Sequence, residues 1–158
     1  MKYLPKSKWK KAGLILLLIF VLIQFYPRPR KNISSVQSSN SIEQLYPIQD
    51  SILQVLKAAC YDCHSNNTNY PWYSNIQPAA WFLNRHIIEG KAELNFNEFG
   101  NYSKRRRQSK LKAIFNQVKD GEMPLTSYLL MHKKARLSDK ESNMIIKWFK
   151  ERSEMSNN

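Results

Sequence analysis

A chain of 158 residues has room for one small domain and an appendage, and 42% hydrophobic with 12% aromatic residues is a globular composition rather than a disordered one. The formal net charge is +13, but residues 1–31 hold eight Lys/Arg and no acid, leaving 17 bases against 12 acids in the rest. Much of the basicity belongs to the N-terminal stretch, so charge alone does not argue for a nucleic-acid partner.

The first element in chain order is that stretch. Residues 1–11, "MKYLPKSKWKK", form a basic flank with five lysines, and Ala12 to Tyr26 then run uncharged as "AGLILLLIFVLIQFY". The run is shorter than the roughly 20 residues of a straight spanning helix and matches a signal-peptide core in length. It ends in "QFYPRPRK", with no small-residue cleavage site. Flanking lysine stems and Trp9, Phe25 and Tyr26 extend it toward the headgroups. Residues 12–26 therefore read as an uncleaved transmembrane signal anchor in contact with membrane lipid, the alternatives being a buried core helix or a cleaved signal. Five lysines before the run against three bases after it favour the N-terminus inside and the domain exported.

Residues 27–47 are Ser/Asn-rich and punctuated by proline, which predicts a flexible linker. From residue 48 to about 155 the periodicity is helical. Ile52, Leu53, Val55, Leu56 and Ala59 predict a first helix that delivers Cys60 at its C-terminal end. A loop rich in Asn, Ser and Pro follows. A second helix is expected from Pro78 to Ile88, with Gly90 as its stop. A third runs over residues 103–119, with Leu111, Ile114, Phe115 and Val118 as its stripe and Gly121 at its end. A fourth opens on the capping box "SDKE" (Ser138 to Glu141) and turns Met144, Ile145, Trp148 and Phe149 inward. No alternating strand appears, so the domain is expected to be all-α.

The chemistry gathers in "ACYDCHSN". Cys60 and Cys63 are the only cysteines, and His64 follows the second. A redox C-x-x-C normally opens a helix in a βαβ setting, whereas this pair closes one. Zinc wants four ligands, with a second close pair, while His86 and His132 stand alone. C-x-x-C-H, the third reading, uses every residue: two thiols can form thioethers to the vinyl groups of one porphyrin, with His64 as the proximal iron ligand. An export signal suits that reading. A six-coordinate haem needs a further axial ligand. Met123, Met131, Met144, His86 and His132 are the candidates. Met144 lies in a core stripe. Met123 lies in "DGEMPL", after the third helix, where Pro124 restricts it to extended backbone angles.

The sequence resembles the small bacterial haem-binding domain family, single-haem relatives of class I cytochromes c that often carry an N-terminal anchor. The resemblance rests on "CYDCHSNNTNYPWYSNIQP", "LNFNEFGNYS", "DGEMPLTSYLLMHKKARLSDKE" and the closing "WF", and it covers about residues 42–150. It implies a cytochrome c-like fold around one covalent haem c per chain. It further implies Cys60 and Cys63 as attachment residues, His64 as proximal ligand and Met123 as distal ligand. The expected protein is not an enzyme. It carries single electrons to a redox partner at the bacterial inner membrane, with the haem domain on the periplasmic side. The rivals are a haem sensor or peroxidase-like subunit with an open distal site, and a structural haem subunit of a larger complex. Tyr70, Trp72, Tyr73 and Trp81 can line a haem pocket or simply pack. Arg85 can pair with a propionate or face solvent. The block "KRRRQSK", Lys104 to Lys110, is expected to be a solvated helix face, or else a docking surface for an acidic redox partner or anionic lipid.

Overall fold

Residues 6–36 and 38–155 are described by a computed structural model. Among them every regular element is helical and none is a strand, so the all-α expectation holds. The chain divides into two compact units. One combines the N-terminal stretch through Lys31 with Tyr70–His86, and the other combines Asn32–Asn69 with the chain from Ile87 onward.

In the first unit, α1 (Lys6–Ile23) opens on lysine-rich turns and continues apolar. It ends three residues short of Tyr26. Gln24, Phe25 and Tyr26 bond back to the Val21, Leu22 and Ile23 carbonyls at 3.1–3.2 Å, the tighter three-residue closure common at helix ends. Pro27 comes next and disfavours helical angles in the residue before it. The apolar part, Ala12–Ile23, rises roughly 18 Å at 1.5 Å per residue, against about 30 Å of hydrocarbon. No helix among the described residues is long and apolar enough to cross a membrane. Beyond α1, the Gln24 side chain pairs with the Gln77 backbone in both directions, at 3.0 Å each way. Tyr26 meets the edge of Trp81 with centroids 5.4 Å apart.

Helix α5 (Ala79–Glu93) follows Pro78 and runs through Gly90 instead of stopping there. The expected stop fails for a physical reason. A C-terminal glycine ends a helix by adopting positive φ, and Gly121, at φ 71, is the glycine that does so among the described residues. Gly121 accordingly closes α6 (Lys104–Lys119), which opens on a Ser103 cap accepting from the Arg106 N–H.

The second unit also holds α2 (Ile42–Leu45), α3 (Asp50–Ala59), α4 (Tyr61–His64), α7 (Thr126–Leu129) and α8 (Asp139–Met155). At the start of α8 the expected capping box is formed. The Ser138 N–H and hydroxyl both donate to Glu141 Oε2, at 2.8 and 2.6 Å. Leu111, Ile114 and Val118 of α6 and Ile145, Trp148 and Phe149 of α8 are buried in one core with Ile52 and Leu56 of α3. Each large side chain so buried stabilises the fold by about 1.5–3 kcal/mol.

The packed part begins earlier than residue 48. Within the expected linker, Ile42 is fully buried, and Tyr46 packs edge-on against both Phe99 and Trp148 at 6.3 Å. The Gly100 N–H donates to the Asn40 carbonyl at 2.7 Å. The polar composition of 27–47 hid three apolar residues, Ile42, Leu45 and Tyr46, at helical spacing.

Candidate haem site

Helix α3 hands the chain to the motif. Cys60 still donates its N–H to Leu56 at 2.8 Å, but its angles (φ −124, ψ −38) depart from helix. Its carbonyl then accepts the N–H groups of Cys63 at 3.2 Å and His64 at 3.0 Å. That single turn is α4, and it gathers Cys60, Cys63 and His64. Both thiols are free. Burial, with Cys63 beside it, pushes the Cys60 thiol up to about 12; burial and the Asp62 charge push Cys63 up to about 11. Such thiols are protonated at neutral pH, the reverse of the low-pKa thiolate that redox C-x-x-C chemistry requires. Among the described residues no group of three His, Cys, Asp or Glu side chains could hold a metal ion, which leaves zinc without a second ligand pair.

The imidazole is the informative group. His64 Nδ1 lies 2.9 Å from the Gly90 carbonyl and 3.1 Å from the Leu94 carbonyl. Carbonyls only accept, so Nδ1 carries the hydrogen and Nε2 holds the free lone pair. Burial lowers the histidine pKa, opposed by those two carbonyl bonds and helped by the Lys110 charge. A neutral ring held by its far nitrogen is the arrangement of a metal-ligating histidine. The residues fit a haem iron.

Two features set that geometry. A Cβ on Gly90 would stand 2.8 Å from the Cys63 carbonyl oxygen and 3.2 Å from its Cβ, so only glycine lets α5 lie this close to α4. Phe96 presents its edge to His64 at 6.4 Å and stacks on Tyr61 at 5.0 Å. Tyr61 donates to Glu43 at 2.6 Å, and burial followed by that bond raises its phenol above the usual range.

The loop after the motif is strapped down. Asn32 donates to the Ser65 carbonyl and to Thr68 Oγ1, both at 2.9 Å, while Lys91 donates to Asn32 Oδ1 at 2.6 Å. Asp62, inside the motif, accepts from the Asn69 N–H at 2.9 Å and from Tyr128 at 2.6 Å. Gly90, Leu94, Asn32, Asp62 and Tyr128 were not identified as site residues from the sequence. Gly90 carries a local signal, but that signal is a helix stop, and the Leu94 contribution is a backbone carbonyl that any residue supplies.

Met123 lies half-buried on the loop between α6 and α7 of the same unit. Its N–H donates to the Gln117 carbonyl at 3.2 Å. His132 stacks flat on Tyr128, with centroids 4.0 Å apart, and His86 belongs to the first unit. Met144 packs against the core, as expected. Of the aromatics, Trp81 packs on Tyr26 and Tyr73 on Trp72, whereas Trp72 itself is 73% exposed. The basic block is partly engaged: Lys110 pairs with Glu93 at 3.2 Å and Arg106 lies 4.5 Å from the Tyr102 ring centre.

An all-helical unit with two thiols and an Nδ1-protonated imidazole on one turn defines a class, the haem-binding proteins. The model of the haem-binding domain family matches residues 18–151, most of the chain, and the chain belongs to that family. No curated protein and no solved structure matches it significantly.

Proposed function

We propose that this chain is a membrane-attached c-type haem protein that passes single electrons. One haem per chain is attached through thioethers from Cys60 and Cys63, with His64 as proximal ligand and Met123 as distal ligand. The observation that carries this reading is the orientation of His64, whose Nδ1–H is shared by the Gly90 and Leu94 carbonyls while Nε2 stays available. When bound, haem supplies an iron that accepts and releases one electron. The chain's own residues present the imidazole, keep it neutral and bury it. A hydrogen bond from Nδ1 to carbonyl oxygens makes the ring a stronger donor, which favours the ferric state and a lower potential.

Membrane attachment is carried by α1. Leu14, Leu16, Leu18, Phe20 and Leu22 are each 45–68% exposed, and a helix apolar on all sides belongs in lipid or against a partner. The short apolar stretch is extended by snorkelling lysines and by Phe25 and Tyr26 at the far interface. The lysine bias supports a haem unit on the exported side, within reach of a redox partner protein.

The test is retention of haem. In a host with c-type maturation machinery, haem should stay with the polypeptide through acid-acetone extraction and denaturing electrophoresis, and the Cys60→Ala/Cys63→Ala variant should lose it. Haem that extracts freely from the wild type removes the c-type assignment and leaves a non-covalent haem protein.

A further inference from the structure

From Lys119 through Lys134 no residue is buried. Helix α7, inside that stretch, buries none of its side chains, and Leu130 and Met131 are exposed. A segment with so little apolar burial opens at low free-energy cost unless polar contacts hold it. Its ends are fixed. Glu122 and Met123 donate to the Gln117 carbonyl at 2.9 and 3.2 Å, and Ala135 is buried.

Between those ends Tyr128 reaches across 66 positions of sequence to the haem motif, its hydroxyl donating to Asp62 Oδ2 at 2.6 Å. Asp62 is itself immobilised. Its Oδ1 accepts the Asn69 N–H at 2.9 Å, and its carbonyl accepts the Thr68 hydroxyl at 2.6 Å. A hydroxyl–carboxylate bond of this length is charge-assisted and among the stronger side-chain bonds.

We propose that the Tyr128–Asp62 hydrogen bond is a clasp tying the segment that carries Met123 to the haem-attachment turn, and that it governs how fast the distal position opens to an added ligand. The proposal rests on Met123 as distal ligand. Tyr128 acts through that ligand and is a positioning residue. Tyr128→Phe isolates the bond, because phenylalanine keeps the ring that stacks on His132 and loses only the hydroxyl.

The experiment uses the haem-loaded full chain. Two rates are measured: carbon monoxide binding to the ferrous protein by stopped flow, and amide hydrogen exchange in residues 122–132. Tyr128→Phe is expected to speed both on the order of tenfold, the effect of losing one hydrogen bond to a charged group. Asp62→Ala, which also gives up the Asn69 N–H contact, is expected to speed both at least as much, and the double variant no more than Asp62→Ala alone, since the tyrosine hydroxyl acts through that carboxylate. Unchanged carbon monoxide binding in Tyr128→Phe, while Met123→Ala opens the iron, overturns the clasp and leaves the ligand assignment standing. Additive effects in the double variant also overturn it. If Met123→Ala binds carbon monoxide no faster than wild type, the distal assignment fails, and the clasp as a ligand gate fails with it.

Discussion

The carbonyl of Gly90 accepts the Nδ1–H of His64 at 2.9 Å, and the missing side chain of the same glycine is what lets α5 reach that position. Gly90→Ala sets two effects against each other. Alanine gains about 1 kcal/mol of helix propensity over glycine. Its Cβ would meet the Cys63 carbonyl at 2.8 Å, a backbone atom that cannot swing aside, and such overpacking costs about 1–3 kcal/mol. The clash wins, so the melting temperature should fall. As α5 retreats, the Nδ1 hydrogen bond lengthens, the imidazole becomes a weaker donor and the reduction potential rises. Thermal melts and potentiometric titration read the two effects. Gly13→Ala, with nothing within 4 Å of the added carbon, lacks the clash and keeps the propensity gain, so it should not lower the melting temperature and should leave the potential unchanged. A Gly90→Ala protein as stable as wild type and at the same potential rules this account out.

Ile42 provides the second prediction. It is fully buried, while Val36 in the same stretch of sequence is 75% exposed. Ile42→Ala should therefore cost about 2–5 kcal/mol, the range for truncating a buried aliphatic residue, and Val36→Ala close to nothing. The comparison is made from denaturation midpoints at constant m value. Equal midpoints for both variants would mean that residues 38–46 are a tether after all.

How far the sequence revealed this molecule differs from element to element. Helices α3, α6 and α8 were legible because their apolar stripes and caps are local: Ser138 and Glu141 sit three apart and bond to each other. The turn holding Cys60, Cys63 and His64 was legible for the same reason. The extent of α5 was not, because glycine is read as a stop unless its packing partner is known, and that partner, Cys63, lies 27 positions away. The strap formed by Asn32 was illegible too. Its composition is that of a loop, and its meaning comes from Ser65, Thr68 and Lys91, which only the fold brings together.

The third prediction concerns α1. Its exposed apolar surface should keep the protein in the membrane fraction through high-salt and carbonate washes. Its N-terminal residues should remain on the mature chain, and residues from 32 onward should be digested by protease added to the exported side only. Arginine placed at both Leu17 and Phe20, near the middle of the apolar run, adds about 2.5–3.5 kcal/mol per charge to insertion and should release the protein. Intact-mass analysis that finds an N-terminus near residue 28 would instead identify a cleaved signal and a soluble exported domain.

The last prediction concerns the distal ligand. Met123 lies on the loop between α6 and α7, its backbone fixed by the Gln117 carbonyl at 3.2 Å, in the segment tied to the motif through Tyr128 and Asp62. Of the rival histidines, His132 has its ring stacked flat on Tyr128 at 4.0 Å, and pulling it to an iron forfeits that contact. Methionine sulfur is a soft ligand that favours ferrous iron, so its loss should open the iron and also lower the potential. Met123→Ala should give a high-spin or water-ligated ferric spectrum and bind carbon monoxide readily where wild type resists. His132→Ala and His86→Ala should leave both properties close to those of wild type. If His132→Ala opens the iron while Met123→Ala leaves it closed, the site is bis-histidine and its potential lies lower. Carbon monoxide binding in wild type as fast as in Met123→Ala points to a distal side that is already open, and a haem sensor or peroxidase-like subunit then replaces the electron carrier.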